Sequence, residues 1–115
     1  MKVLITGASG FMGKHLSKRL ENEGHNITGL SSKDCDLTKQ GSLEKLFKGK
    51  KFDQFYHLAA WTQAGDFCLH HKGEQWLINQ KINTNVLDWW KEKQPDAKIT
   101  CIGTSCSYDS KLLLK

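Results

Sequence analysis

Three glycines at three-residue spacing, Gly7-Ala8-Ser9-Gly10-Phe11-Met12-Gly13, carry the most specific chemistry in the chain. They sit between a strand-like run and a helix-like run, the context a dinucleotide-binding glycine motif requires. Gly7 permits a sharp turn out of the strand. Gly10 lets backbone approach a pyrophosphate, and Gly13 lets the helix pack close to the sheet. The free N–H groups at the helix start, around Ser9, Gly10, Phe11, Met12 and Gly13, then favour phosphate charge. A Walker-type loop would end in Gly-Lys-Ser/Thr, whereas here Gly13-Lys14 is followed by His15.

A second group, Leu30-Ser31-Ser32-Lys33, bears on which cofactor fits. An acid at the end of the second strand holds the ribose 2′-OH of NAD, while the 2′-phosphate of NADP is met by hydroxyls and cations. The first acid is Asp34, so Ser31, Ser32 and Lys33 favour NADP over NAD. Other groupings carry less. His70-His71 lacks further ligands at usable spacing, so no metal site is expected. Cys35, Cys68, Cys101 and Cys106 are scattered without CxxC pairs and read as reduced thiols. Of Trp61, Trp76, Trp89 and Trp90, Trp90 falls on an apolar helix face and Trp89 beside it, which indicates packing more than sugar stacking.

The elements that must position these groups follow from periodicity. Lys2 to Thr6 reads as a buried strand ending at Gly7. Phe11, Met12, Leu16 and Leu20 mark the apolar side of a helix from Phe11 to Glu23, capped by Gly24. Asn26 to Leu30 is a second strand. Ser42 is expected to cap a short helix through Leu43, Leu46 and Phe47, ending at Gly49-Lys50-Lys51. Phe52 to Leu58 is a third strand, running into Ala59 and Ala60. A helix from Trp76 to about Lys93 shows Ile78, Ile82, Val86, Leu87 and Trp90 on one face and ends at Gln94-Pro95-Asp96. Lys98 to Ile102 is a fourth strand, followed by a polar loop, Thr104 to Ser110. The alternation implies α/β architecture, a Rossmann-like doubly wound parallel sheet in one domain over residues 1–115.

Composition sets the outer limits. The 115 residues are 38% hydrophobic and 25% charged, with a formal net charge of +5, ordinary for a globular domain. The lysines are spread along the chain without interleaved aromatics, so nucleic acid is not an expected partner. No apolar stretch is long enough for a signal peptide or membrane helix, and the expected location is cytoplasmic.

Thr6-Gly7-Ala8-Ser9-Gly10-Phe11-Met12-Gly13, Asp36-Leu37-Thr38, His57-Leu58-Ala59-Ala60, Asn85-Val86-Leu87 and Ile102-Gly103-Thr104-Ser105-Cys106-Ser107-Tyr108, in this order, resemble the extended short-chain dehydrogenase/reductases. These are NAD(P)-dependent nucleotide-sugar epimerases, dehydratases and reductases. The short link to Asp36-Leu37 and the Gly103–Tyr108 stretch are most similar to the branch that epimerises and reduces 4-keto sugars. The resemblance implies a nucleotide-sugar substrate, with Asp36 and Leu37 bordering the adenine and Ala59 and Ala60 lining the cofactor. It implies that Thr104 is the catalytic hydroxyl and Cys106 an acid/base of epimerisation.

One departure bears on activity. The family's Tyr-x-x-x-Lys pair is expected beyond the Ser/Thr loop, and Tyr108 has Lys111 three positions on and Leu112 four on. The sheet is expected to break off after about its fourth strand, without a C-terminal substrate domain. Such a chain is expected to bind cofactor with little turnover alone. The alternative is a non-catalytic NADP(H)-binding or sensing module that forms a homo-oligomer or pairs with a completing chain.

Overall fold

The computed structural model describes residues 1–60, 70 and 72–102. Four strands, β1 (Lys2–Thr6), β2 (Asn26–Leu30), β3 (Gln54–His57) and β4 (Lys98–Cys101), alternate with helices α1 (Phe11–Asn22), α2 (Ser42–Phe47) and α3 (Lys72–Lys93). They form one parallel sheet in the order β2-β1-β3-β4. β1 lies between β2 and β3, with Val3, Leu4, Ile5 and Thr6 all buried. A continuous apolar run is what a strand covered on both faces requires.

Alternation along β1 divides two cores. Val3 and Ile5 pack with Leu20 of α1 on one face. Leu4 and Phe55 pack with Leu43 and Phe47 of α2 and with Ile82, Val86 and Trp89 of α3 on the other. Helices on both faces make the sheet doubly wound, as its sequence pattern implies.

Several details differ from the sequence reading. Phe11 and Met12 are 84% and 54% exposed rather than on the packed face of α1. The rotation of α1 is set by Gly13, where a Cβ would lie 2.2 Å from the Gly7 carbonyl oxygen. At about 100° per residue, Gly13, Leu16 and Leu20 then share the sheet side and Phe11 points away. Ser42 is the first residue of α2 and not its cap, which is Gly41 at φ 81°.

On α3 the buried tryptophan is Trp89, stacked on Phe55 with centroids 5.1 Å apart and planes 6° from parallel. Trp90 is half-buried and donates its indole N–H to the Ala97 carbonyl. Leu87, 39% exposed, lies outside the face because about 100° separates it from Val86. β3 is shorter than its apolar run, since the Phe52 N–H bonds to the Gln94 side chain. Gln94 is buried, and its Nε2 donates to the Lys50 carbonyl, tying the end of α3 to the start of β3.

Candidate functional site

The loop from β1 to α1 turns at Gly7, φ 71°. A side chain there would be strained, and its Cβ would fall 2.9 Å from the Ala59 nitrogen and the Leu58 carbonyl carbon. The Gly7 turn therefore lies directly against the turn that follows β3. The Ala8 N–H donates to the Leu30 carbonyl, and Gly29 leaves room for the Ala8 methyl, which joins the same loop to β2.

At Gly10 an added Cβ would meet only the Gly7 carbonyl oxygen, at 3.4 Å, so this stretch of backbone is open to a ligand. No side chain caps the N-terminus of α1, and its first turn carries no acid. Its first N–H groups and the positive end of its dipole remain for an anion.

The end of β2 folds back on itself. Ser31 donates its N–H (2.9 Å) and its hydroxyl (3.0 Å) to Asp34 Oδ2. These bonds hold the exposed Asp34 carboxyl below its ordinary pKa of 3.8. Separation in sequence thus does not keep Asp34 away from the serines. Asp36 accepts from the Thr38 hydroxyl and N–H, which likewise lower its pKa, and it is solvent-exposed. Leu37, by contrast, is buried, and its carbonyl accepts from the Asn85 side chain on α3.

These segments enclose a cleft of about 480 Å³ at the carboxyl ends of β1, β2 and β3. Its walls come from Gly7, Ser9 and Gly10 of the first loop, from Leu30, Ser31 and Ser32, and from Cys35 to Thr38. Leu58, Ala59 and Ala60 form a further wall, and Ile78 and Ile82 close it from α3. A parallel sheet binds ligands on this side of its strands. Of the sequence-selected residues, Phe11, Met12, Gly13 and Lys33 are not in the walls. Gly13 acts beneath the loop, and Lys33 is exposed beyond Ser32. Thr104 and Cys106 lie outside the described residues.

The sequence reading missed Cys35, Thr38, Leu58, Ile78 and Ile82 as walls of the cleft. It also missed the buried pair Thr6 and His57, polar residues closing two strands of apolar character. That polar break at a strand end was the available signal.

The glycine turn, the open helix N-terminus and the apolar cleft beyond β2 fit a dinucleotide: phosphates at Gly10, an adenosine between Ser31 and Leu37. Sheet order, loop and cleft together define a dinucleotide-binding Rossmann unit. A family model described as "NAD dependent epimerase/dehydratase family" matches residues 3–112, and the chain belongs to that family.

The chain is 33% identical over 112 residues to GDP-L-fucose synthase of Dictyostelium discoideum, covering 95% of itself and 35% of that protein. It resembles the solved dTDP-4-dehydrorhamnose reductase of Bacillus anthracis in complex with NADP at 26% identity and a TM-score of 0.73, covering 85% of this chain and 34% of that one. The GDP-L-fucose synthetase of Naegleria fowleri bound to NADP shares the fold, with a TM-score of 0.77 at 24% identity, over 95% of this chain and 35% of that one. The chain therefore spans about a third of the length of these relatives. Among the described residues no helix is long and apolar enough to cross a membrane, and no group of three or more His, Cys, Asp or Glu could hold a metal.

Proposed function

We propose that this chain carries the NADP(H)-binding part of a nucleotide-sugar epimerase/reductase that acts on a 4-keto sugar. The observation that carries this reading is the cleft between the Gly7–Gly10 backbone, Ser31-Ser32 and Ala59-Ala60. In this reading the bound cofactor supplies hydride chemistry, and the protein positions the sugar and handles protons. Ser9, Gly10 and the first turn of α1 hold the pyrophosphate, with Gly13 keeping that turn close to the sheet. Ser31, Ser32 and Lys33 meet the 2′-phosphate, Asp36 and Leu37 border the adenine, and Ala59-Ala60 line the path toward the nicotinamide.

β4 runs in parallel with β3 and delivers Ile102 to the carboxyl end of the sheet, from which the chain enters Gly103–Tyr108. Thr104 is proposed to hydrogen-bond the reacting sugar oxygen and Cys106 to move a proton beside it, provided its surroundings bring the thiol pKa toward neutrality. The 115 residues contain no Tyr followed four residues later by Lys. The expected behaviour of this polypeptide by itself is cofactor binding without sugar turnover.

Titration with NADPH and, separately, NADH, followed by nicotinamide fluorescence, tests the reading. Tighter NADPH binding that Gly10→Asp abolishes is the expected result, because the carboxylate would occupy the phosphate position. Absence of binding to both dinucleotides would refute it.

A second reading, a non-catalytic NADP(H)-binding module that pairs with another chain, is favoured by β4. That edge strand has no outer strand partner among the described residues, and Lys98, Thr100 and Cys101 are exposed. A monomer in size-exclusion chromatography would argue against it.

A further inference from the structure

His57 closes β3 with its side chain buried and both ring nitrogens engaged. Nδ1 is 2.7 Å from Thr6 Oγ1, and Nε2 is 2.8 Å from Asn83 Oδ1 on α3. Thr6, also buried, closes the neighbouring strand β1. Its hydroxyl oxygen accepts the N–H groups of Leu58 and Ala59, both at 3.1 Å, the Leu58 N–H being shared with the Thr6 carbonyl at 3.2 Å. A hydroxyl has two lone pairs and one proton. With both lone pairs taken, the proton goes to His57 Nδ1, and the ring proton must sit on Nε2, where it is donated to Asn83. Donor counting thus leaves a single tautomer.

We propose that neutral, Nε2-protonated His57 is a positioning residue of the cofactor cleft, locking the Gly7 turn to the Leu58–Ala60 turn, and that its protonation unlocks them. The proposal rests on the cofactor reading above. Both turns are cleft walls, and they touch so closely that a Cβ at Gly7 would collide with Leu58 and Ala59. A proton on Nδ1 would face a hydroxyl with no lone pair left. Accepting it would weaken the hold of the hydroxyl on both N–H groups. That of Leu58 keeps the Thr6 carbonyl, whereas that of Ala59 is accepted by the hydroxyl alone among the described residues, so the turn would loosen at Ala59.

The charged form has little support. β1 offers Thr6, α3 offers Asn83, and β4 sets the Cys101 thiol in register with His57. The turn Leu58–Ala60 has no ionisable side chain, and among the described residues no carboxylate or ammonium pairs with the ring. Burial pushes the His57 pKa below its ordinary 6.5, opposed in part by the bond to Asn83. The closed arrangement therefore persists above the folded pKa and is lost as pH falls through it.

Side-chain ¹⁵N spectra of the 115-residue chain test the tautomer without any variant. His57 should be Nε2–H at pH 7.5 and stay neutral as pH falls through the ordinary histidine value of 6.5; an Nδ1–H ring, or titration at or above that value, overturns the proposal. NADP⁺ affinity measured calorimetrically from pH 8 to pH 5 tests the lock. Below the folded pKa of His57, binding should weaken on the order of tenfold per pH unit beyond any slope in His57→Asn, whose amide oxygen accepts from Thr6 without titrating. Titration of the ligand phosphate is common to both proteins and cancels; equal slopes overturn the proposal. If the chain binds no NADP⁺ at any pH, the cofactor reading fails separately. Amide exchange at Ala59, whose N–H the Thr6 hydroxyl accepts, then decides the lock: protection lost as His57 protonates supports it, and protection retained overturns it.

Discussion

Ser31 faces two demands at once. As a hydroxyl at the end of β2 it suits a 2′-phosphate, yet both its N–H and its hydroxyl proton are directed at Asp34. With its pKa lowered by those bonds, Asp34 is charged across the neutral range and cannot be relieved by mild acid. The serines and Lys33 were legible in the sequence. The fold-back was not, because it depends on a turn that brings the Asp34 N–H to the Ser31 carbonyl at 3.0 Å. A like charge at an exposed site is worth little, so Asp34→Asn should raise the NADPH-to-NADH affinity ratio by up to about fivefold. Lys33→Ala should lower it. Paired fluorescence titrations read both, and a ratio unmoved by either change would remove the end of β2 from cofactor choice.

At the scale of elements, the strands were legible because β1 and β2 are short runs bounded by Gly7 and Gly24, and the observed limits of both match the expectation. Helix existence was equally legible; helix rotation was not. Gly13 fixes the rotation of α1 through a contact with Gly7, and Phe55 fixes which tryptophan of α3 turns inward. Both are long-range contacts that local spacing does not contain. The capture of Gln94 by Lys50 and Phe52 was hidden for the same reason.

The consequence is a ranking of tryptophans. Trp89 is 7% exposed and also meets Phe47 at 5.9 Å, and Trp76 is 64% exposed. Trp89→Ala should cost about 3–5 kcal/mol of unfolding free energy. Trp76→Ala should stay within about 0.5 kcal/mol. Urea unfolding gives both, and a larger loss at Trp76 would mean that α3 is rotated from the described position.

For the whole molecule, one sheet places the walls of the cleft at the carboxyl ends of β1, β2 and β3 and leaves the two cores to the faces. That arrangement follows from parallel order, which is why the position of the cleft was legible even where its walls were not. Net charge acts on the same scale. Seventeen Lys and Arg against twelve Asp and Glu give +5 without any basic run, so attraction of a polyanionic dinucleotide comes from the summed field more than from one patch. Such a field is screened over about 10 Å at 0.1 M salt and about 3 Å at 1 M.

Local hydrogen bonds at Gly10 should survive that screening, and the long-range part should not. Raising salt from about 0.05 M to about 0.5 M is therefore expected to weaken NADPH several-fold and NADH less, since only NADPH carries the additional phosphate. Parallel titrations at the two salt concentrations measure the difference. Equal weakening of the two dinucleotides would mean that the added phosphate does not feel the protein's positive field, and Lys33 would then be a solvated surface charge.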